Sequence, residues 1–467
     1  MLTFLEIIIV VLNMTVIVWP LITSKKAPRS IDFIPLAAVV VLILHIFIDK
    51  DTVAARFIPL YIFTITMFLV SIQKIFKGNS KEPKHGVKAS IGRVFQLILL
   101  AVCVFIPTMV IPFYSLPEPT GTFDVGTVVM DFTDNNRTET LSKSGGNRKI
   151  AVQFWYPSDR QETEVRYDIE GVPVSTIQKQ YPLVIFSHGA FGMRMSNAST
   201  CRELASHGYI VASIDHAYQA FYTSFADGKV AIVNNDFLNE AIGVQVDDIK
   251  GQKAFDITHS WLDLRTKDIN LVIDSLKAGN LGTNGEFLKG HMDLNNIGLF
   301  GHSLGGAASA QVARVRDDVK AAIVIDGTMI GDIKGLNSDN SEIITEEKFT
   351  KPLMLMYGSL FQQEEAKKSA YLPNIQAYNN STNAAYSLFI KESGHLNFTD
   401  LPRISPFLAQ KLGVGTVDSF VCIKIVNDYS LAFFDKHIKG QNSLLLENNT
   451  PSEQVEFSKR VSEIVGR

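Results

Sequence analysis

The feature that constrains the fold most is a serine flanked by two glycines. It lies where an apolar run passes directly into a row of small residues. Residues 297–300 are apolar and read as a buried strand, and residues 301–305 (GHSLG) follow at once. Residues 306–310 are small and read as the start of a helix. On such a turn a serine is strained with its hydroxyl exposed above the sheet, and a Cβ at either glycine would collide with the neighbouring strand or helix. This context predicts Ser303 as a nucleophile, with a chance turn serine as the alternative.

Four apolar segments precede residue 117, at about 3–22, 32–49, 55–76 and 92–114. Each approaches the roughly 20 residues that a helix needs to cross a bilayer. The first segment does not resemble a secretion signal, because no Lys or Arg precedes it and no small-residue cleavage site ends it. We therefore predict a transmembrane region over 1–116 and a separate catalytic domain over 117–467.

The charges of the connecting loops indicate an orientation. The loop between the second and third segments has equal numbers of acidic and basic residues. The first and third loops are basic. The first contains Lys25, Lys26 and Arg29, and the third contains Lys74, Lys77, Lys81, Lys84, Lys88 and Arg93. Basic loops stay in the cytoplasm. The sequence thus predicts a multi-pass protein of the cell membrane with its N-terminus and its catalytic domain outside. The short connector would keep the active site near lipid, so membrane lipids are expected partners.

Two ionisable residues, Glu6 and His45, fall within or beside the apolar segments. A charge inside a membrane is a functional hypothesis by default. Both residues lie near segment ends, however, so we expect them to reach the interface without a special role.

Composition excludes several classes of function. The formal net charge of −3, without a basic stripe in the polar part, argues against a nucleic-acid partner. The three cysteines give neither a disulfide framework nor metal-ligand spacing. No metal and no cofactor are expected, and nothing in the sequence indicates the oligomeric state.

The polar part alternates predicted strands and helices after a proline-rich connector at 111–121. Paired strands at its start, followed by alternating strands and helices, favour a mixed sheet that becomes parallel. The predicted strands are 127–132, 150–156, 182–186, 209–214, 321–325, 352–357 and, as the last, 385–390. Together with the serine turn, this order predicts an α/β-hydrolase fold, a mostly parallel central sheet with helices on both faces, preceded by the four membrane spans.

An oxyanion hole is expected from two backbone amides. The strand 182–186 ends in a loop, 187–190, ahead of the nucleophile strand, where this kind of fold keeps one amide of the hole. We predict the N–H groups of Ala190 and Leu304, since Leu304 opens a helix with free amides. His188 in the same loop is a rival base, but a histidine that shapes the hole is the preferred interpretation.

The base and the acid follow the nucleophile in the chain. His395 comes in the loop after the predicted last strand, which completes the order Ser, acid, His. Asp326 stands directly at a strand end and is the preferred acid, with Asp400 and Glu364 as rivals. Residues 217–260 have weak periodicity and form either a lid over the site or an inert insertion.

These motifs resemble a known family. From about residue 117 to 440 the chain is similar to the plasma-type platelet-activating-factor acetylhydrolases and to dienelactone-hydrolase-like and bacterial polyester-hydrolysing enzymes. The stretches that carry the similarity are 119–121, 125–126, 186–189, 204–212, 301–306, 325–327 and 393–400. The side chains of Ala190 and Leu304 differ from those expected in the plasma enzymes, but the hole uses backbone amides. The membrane region lies outside the resemblance.

The resemblance implies Ser303, Asp326 and His395 as a triad, with Ala190 and Leu304 as the hole. It implies a membrane-anchored serine hydrolase that cleaves carboxylic esters through an acyl-enzyme, with short-chain or oxidised acyl groups of phospholipid-like molecules as substrates. Two alternatives remain open. One is a general carboxylesterase or peptidase, and the other is a membrane sensor or assembly protein with an inactive hydrolase-like domain.

Overall fold

The structure of the chain, a computed structural model, describes residues 3–22, 29–48, 55–76, 87–143, 145–161, 165–447 and 453–460. These residues form two compact units. The first comprises Met1–Ser115 with Ile404–Gln410, and the second comprises Leu116–Arg403 with Lys411–Arg467.

Four long apolar helices make up most of the first unit: α1 (Phe4–Ile22), α2 (Ile34–Ile48), α3 (Ile58–Phe76) and α4 (Val87–Val110). All four, with α2 extended by the preceding 3-10 turn, are long and apolar enough to cross a membrane. The fourth helix stops at Val110, before the expected end at 114, because Pro112 disfavours a helical conformation at Ile111. Of the loop cations that indicate orientation, Lys25, Lys26, Lys77, Lys81 and Lys84 lie outside the described residues.

The second unit contains fourteen described strands. They are β1 (Asp124–Thr138), β2 (Asn147–Ser158), β3 (Ile169–Glu170), β4 (Tyr181–Ser187), β5 (Ile210–Asp215), β6 (Tyr222–Ser224), β7 (Val230–Ile232), β8 (Met292–His302), β9 (Val319–Ile325), β10 (Ile333–Leu336), β11 (Glu342–Ile344), β12 (Leu353–Tyr357), β13 (Ala385–Ile390) and β14 (Val455–Arg460).

Ten of these strands form one sheet in the order β14-β13-β12-β9-β8-β4-β5-β2-β1-β3. Every neighbouring pair from β5 to β13 is parallel, whereas β1 with β2, β2 with β5, and β13 with β14 are antiparallel. The mixed sheet that becomes parallel is therefore confirmed. The carboxyl ends of β4, β8, β9 and β13 consequently share one edge, which is where ligands bind in such sheets.

The remaining helices are α5 (Ala198–Ser206), α6 (Asn235–Gln245), α7 (Gly251–Lys277), α8 (Leu304–Val315), α9 (Glu364–Lys368), α10 (Leu372–Asn379), α11 (Leu401–Ile404), α12 (Pro406–Lys411) and α13 (Ser419–His437). Most of α12 and the end of α11 belong to the first unit, and the others belong to the second. They cover the sheet on both faces. Residues of α7 and α8 pack in one apolar core, and residues of α5 and α13 pack in the other. This arrangement is the predicted α/β-hydrolase fold.

One expectation about the sheet is wrong. Residues 385–390 were expected to be the last strand, but β14 follows and pairs antiparallel with β13 over Ala385–Ile390. Its sequence, VEFSKR, alternates apolar and polar residues only over 455–458, while its side chains alternate between more buried and exposed throughout, because it is an edge strand with one face in solvent. Such a short alternation at the end of the chain carries a weak signal.

Candidate active site

Ser303 stands in the predicted strained turn. It lies between β8 and α8 with φ 54° and ψ −124°, a left-handed conformation that is uncommon for a residue with a Cβ. A Cβ at Gly301 would overlap the backbone of Gly305, and a Cβ at Gly305 would overlap the Ser187 carbonyl. The expected need for both glycines is thus confirmed.

The structure brings His395 and Asp326 together, although they are 69 residues apart in the chain. Nδ1 of His395 lies 2.8 Å from Oδ2 of Asp326, at the ends of β13 and β9. The Asp326 side chain is only 3% exposed, whereas that of His395 is 47% exposed. A buried carboxylate therefore holds an imidazole that is open to solvent.

Two further groups hold the Asp326 carboxylate, and neither is evident from the sequence. Its Oδ1 accepts hydrogen bonds from the Gly358 amide (2.9 Å) and from the Tyr371 hydroxyl (3.0 Å). Burial alone would raise the pKa of Asp326, but the bond to His395 and the Gly358 amide outweigh it and lower that pKa. Asp326 is therefore held as a carboxylate.

Within the described chain, Ser303 Oγ has no hydrogen bond to the His395 ring. His302 links the two segments, because its Nε2 lies 3.0 Å from the His395 carbonyl oxygen. The rings of His302 and His395 are 4.5 Å apart between centroids. Hydrogen bonds to a nucleophile are often loose in the absence of substrate.

The two amides expected to form the oxyanion hole both lack an acceptor. Across the described ranges, neither the Ala190 nor the Leu304 N–H donates a hydrogen bond. The loop that carries Ala190 lies against the nucleophile, since a Cβ at Gly189 would come within 3.2 Å of Ser303 Cβ. Two free N–H groups beside a serine can stabilise a developing negative charge.

The rival base lies in a different place from His395. His188 is fully buried, its Nδ1 lies 2.7 Å from the Gly189 carbonyl, and burial together with Arg265 lowers its pKa. Its ring thus contacts the backbone of the loop to which it belongs.

The rival acids have partners other than His395. Asp400 is buried and accepts hydrogen bonds from the amide and hydroxyl of Ser199. Glu364 is exposed and bonds Lys367 at 2.9 Å. Neither carboxylate has a hydrogen bond to the His395 ring in the chain as described.

The segment 217–260 contributes an apolar wall beside the site. Its Phe237 packs in one cluster with Trp261 and Leu304, with Ala190 and Phe191 against it. The rings of Phe237 and Trp261 meet edge to face at 5.1 Å. The segment thus borders both residues of the expected hole.

The expectation for Glu6 and His45 is wrong. Both side chains are completely buried within the first unit, where Tyr61 donates to Glu6 Oε1 at 2.9 Å. Nε2 of His45 lies 3.1 Å from the Tyr61 hydroxyl and 3.5 Å from Glu6 Oε1. Pairing between helices satisfies these groups and replaces the expected exposure at the interface. No group of three or more metal-ligating side chains occurs in the ranges that the structure describes.

Comparison with known proteins identifies the family of this chain. The pattern of the family "Platelet-activating factor acetylhydrolase, isoform II" matches residues 163–455, more than half of the chain. The chain belongs to this family.

Two curated relatives and one solved structure are similar to this chain. A platelet-activating factor acetylhydrolase of Bos taurus is 28% identical over 282 residues, 56% of this chain and 58% of that protein. A probable 1-alkyl-2-acetylglycerophosphocholine esterase of Arthroderma benhamiae is 22% identical over 284 residues, 51% of this chain and 64% of that protein. The structure of a ferulic acid esterase from Streptomyces cinnamoneus superposes with a TM-score of 0.57 at 25% identity, over 73% of this chain and 98% of that one.

The match to these relatives is partial. The chain spans 58% of the Bos taurus protein and 59% of a second acetylhydrolase, from Cavia porcellus, to which it is 28% identical over 57% of its own length. The match to the family starts at residue 163, after the four apolar helices.

Proposed function

We propose that the chain is a membrane-anchored serine hydrolase that cleaves carboxylic esters through an acyl-enzyme. The observation that carries this proposal is the strained Ser303 on its glycine turn, beside the hydrogen-bonded Asp326 and His395. The free amides of Ala190 and Leu304 support it.

The proposed reaction has two halves. Ser303 Oγ attacks the ester carbonyl carbon and gives its proton to Nε2 of His395, while Asp326 holds Nδ1 and stabilises the imidazolium. The carbonyl oxygen becomes an oxyanion that accepts hydrogen bonds from Ala190 and Leu304. His395 returns the proton to the leaving alcohol, and water then cleaves the acyl-enzyme by the same steps.

The substrate class that we propose is a phospholipid-like ester with a short or oxidised acyl group. The wall of Phe191, Phe237 and Trp261 offers apolar contact beside both amides. Bulky aromatic rings close to the reacting carbonyl suit a short acyl chain better than a long one. The names of the relatives from Bos taurus and Arthroderma benhamiae refer to acetyl esters of this kind.

The proposed location is the cell membrane, with the catalytic domain outside. Its supports are the four apolar helices and the basic first and third loops. Membrane lipids would then surround the enzyme as both anchor and source of substrate.

A screen of acyl length tests the substrate class. The full chain in detergent is assayed on 4-nitrophenyl esters from acetate to decanoate and on phosphatidylcholines with acetyl or palmitoyl at the second position. We expect acetyl esters to have the highest kcat/KM, and Trp261→Ala to shift the optimum to longer chains. Phe457→Ala, which removes a partly buried ring from the opposite core, is the matched control and should leave the optimum unchanged.

Other outcomes of this screen would favour the alternatives. Equal rates on all esters, or turnover of peptides, would favour a general carboxylesterase or peptidase. No turnover of any ester would favour the sensor or assembly role.

A further inference from the structure

A network of buried ionic side chains lies behind the loop 187–190. Arg265, Asp268 and His216 are all 0% exposed, and Arg148 is 2% exposed. The expected site does not use any of these residues. Fully buried charges are costly and need a reason to be kept in a core.

The hydrogen bonds of Arg265, on α7, lead directly to this loop. Its Nε donates to Gln219 Oε1 at 2.8 Å, and its two terminal nitrogens donate to the carbonyl oxygens of His188 and Gly189, the second at 3.3 Å. No carboxylate lies within 4 Å of this guanidinium in the residues that the structure describes. The cation is thus bonded to neutral oxygens, two of which belong to consecutive peptides next to Ala190.

The Arg265 guanidinium is buried without a directly paired carboxylate, and this changes its pKa. Burial lowers the pKa of Arg265 to about 9, although Asp268, three residues along the helix, opposes the shift. The guanidinium remains charged at neutral pH. This buried charge acts on the two peptide carbonyls that it contacts, those of His188 and Gly189.

The planarity of the peptide unit transmits that effect. In a trans peptide the C=O of one residue and the N–H of the next point in opposite directions. The Gly189 carbonyl also lies 2.7 Å from His188 Nδ1 and accepts from the Gly192 amide at 3.1 Å. The guanidinium is the cationic member of this set, and with the others it fixes the direction of the Ala190 N–H on the other side. A cation on the carbonyl also polarises the peptide and strengthens its N–H as a donor.

We propose that Arg265 is a positioning residue that aims and strengthens the Ala190 N–H toward the oxyanion. This inference rests on the proposed function, because it assigns a role in ester hydrolysis at the same site.

The rest of the network holds the loop from the same side. Nε2 of His216 lies 2.8 Å from Ser187 Oγ, and its Nδ1 lies 3.0 Å from Asp268. Asp268 in turn accepts from Arg148 at 2.6 Å. Ser187, His216 and Asp268 have the connectivity of a catalytic triad, but they are closed to solvent and cannot reach a substrate. From this position they hold the start of the loop in place.

The test compares Arg265→Lys with Arg314→Lys in the full chain in detergent. Arg314 is the control, because besides its ion pair with Asp332 it also donates to two consecutive carbonyls, those of Glu347 and Lys348, and it lies in the last turn of α8, away from Ser303. Turnover of 4-nitrophenyl acetate is expressed per serine labelled by a fluorophosphonate, so that only folded enzyme is counted.

We expect Arg265→Lys to lower kcat by about 10- to 100-fold, less than the loss of a whole oxyanion donor, with KM changed by less than about twofold. The inhibition constant of a trifluoromethyl ketone, which forms an oxyanion on the serine, should rise by the same factor. That of a carboxylic acid product should not change. A merely structural role would leave both kcat per labelled serine and these constants at the values of Arg314→Lys, which would overturn the proposal.

A second variant covers the case in which Arg265→Lys does not fold. Gln219→Met removes the acceptor that fixes Nε and leaves the arginine in place. A parallel loss of kcat and of ketone affinity, smaller than that of Arg265→Lys, supports the proposal, and unchanged values overturn it. A wild-type chain that neither reacts with fluorophosphonate nor cleaves esters would overturn the proposed function itself, which distinguishes the two failures.

Discussion

Oδ2 of Asp326 lies 2.8 Å from Nδ1 of His395, and this contact joins the ends of two strands of the parallel sheet. The other carboxylate oxygen is held by the Gly358 amide and the Tyr371 hydroxyl. The imidazole is thereby fixed with Nε2 left as the nitrogen that can accept a proton. The predictions below depend on this geometry and on the buried groups around it.

The first prediction concerns the acid. Asp326→Asn should lower kcat by up to about four orders of magnitude, because an amide favours the wrong imidazole tautomer. Steady-state turnover of 4-nitrophenyl acetate measures it. Glu364→Gln and Asp400→Asn are the controls, and a larger loss of kcat in either of them would reassign the acid.

The second prediction concerns stability at low pH. Burial, reinforced by the nearby His395, lowers the pKa of His302 to about 3. The unfolded ring has a pKa of about 6.5 and binds protons more readily, so His302 supports folding fully above about pH 6.5 and loses this contribution as the pH falls toward about 3.

Denaturation of wild type and His302→Gln at several pH values measures this linkage. The free energy of unfolding of the wild type should fall more steeply between about pH 6 and 4, by up to about 1.4 kcal/mol per pH unit relative to the variant. Parallel curves would contradict the assignment.

The third prediction concerns metal ions. The sequence offers no aspartate-rich calcium loop, and the proposed steps use only side chains and amides. Ester hydrolysis should therefore keep its rate in excess chelator. A loss of activity that calcium restores would contradict this expectation.

The fourth prediction concerns topology. Proteases added to intact cells should remove an epitope at the C-terminus, while a tag near Lys81, in the basic third loop, stays protected. Permeabilised cells, in which both should be cut, are the control. The reverse pattern in intact cells would mean a cytoplasmic hydrolase and would exclude the proposed outer-surface lipid substrates.

Local sequence patterns predicted those parts of the site that depend on local geometry. Ser303 is recognisable because its two glycines and the flanking strand and helix are contiguous. Asp326 and His395 are recognisable because they follow buried apolar runs, and parallel strands bring such ends to one edge. The strands of the parallel sheet were predicted from the same apolar runs.

Contacts between residues that are far apart in the chain could not be predicted from the sequence. Arg265 lies 77 residues from the His188 carbonyl that it holds, and within the sequence it is only one charged position on an amphipathic helix. Glu6 and Tyr61 are 55 residues apart, so their hydrogen bond is visible only when the helices pack. A single sequence specifies which faces are apolar, but it does not specify which buried polar groups meet.

The most direct test of the account is covalent labelling of Ser303. Membranes that contain the full chain are treated with a fluorophosphonate probe, and the labelled peptide is identified by mass spectrometry. The account predicts stoichiometric labelling at Ser303 in the wild type, and no labelling in Ser303→Ala, which should remain in the membrane at the same level. Undiminished labelling of Ser303→Ala, or a label on another serine of the wild type, would contradict the assignment of the nucleophile.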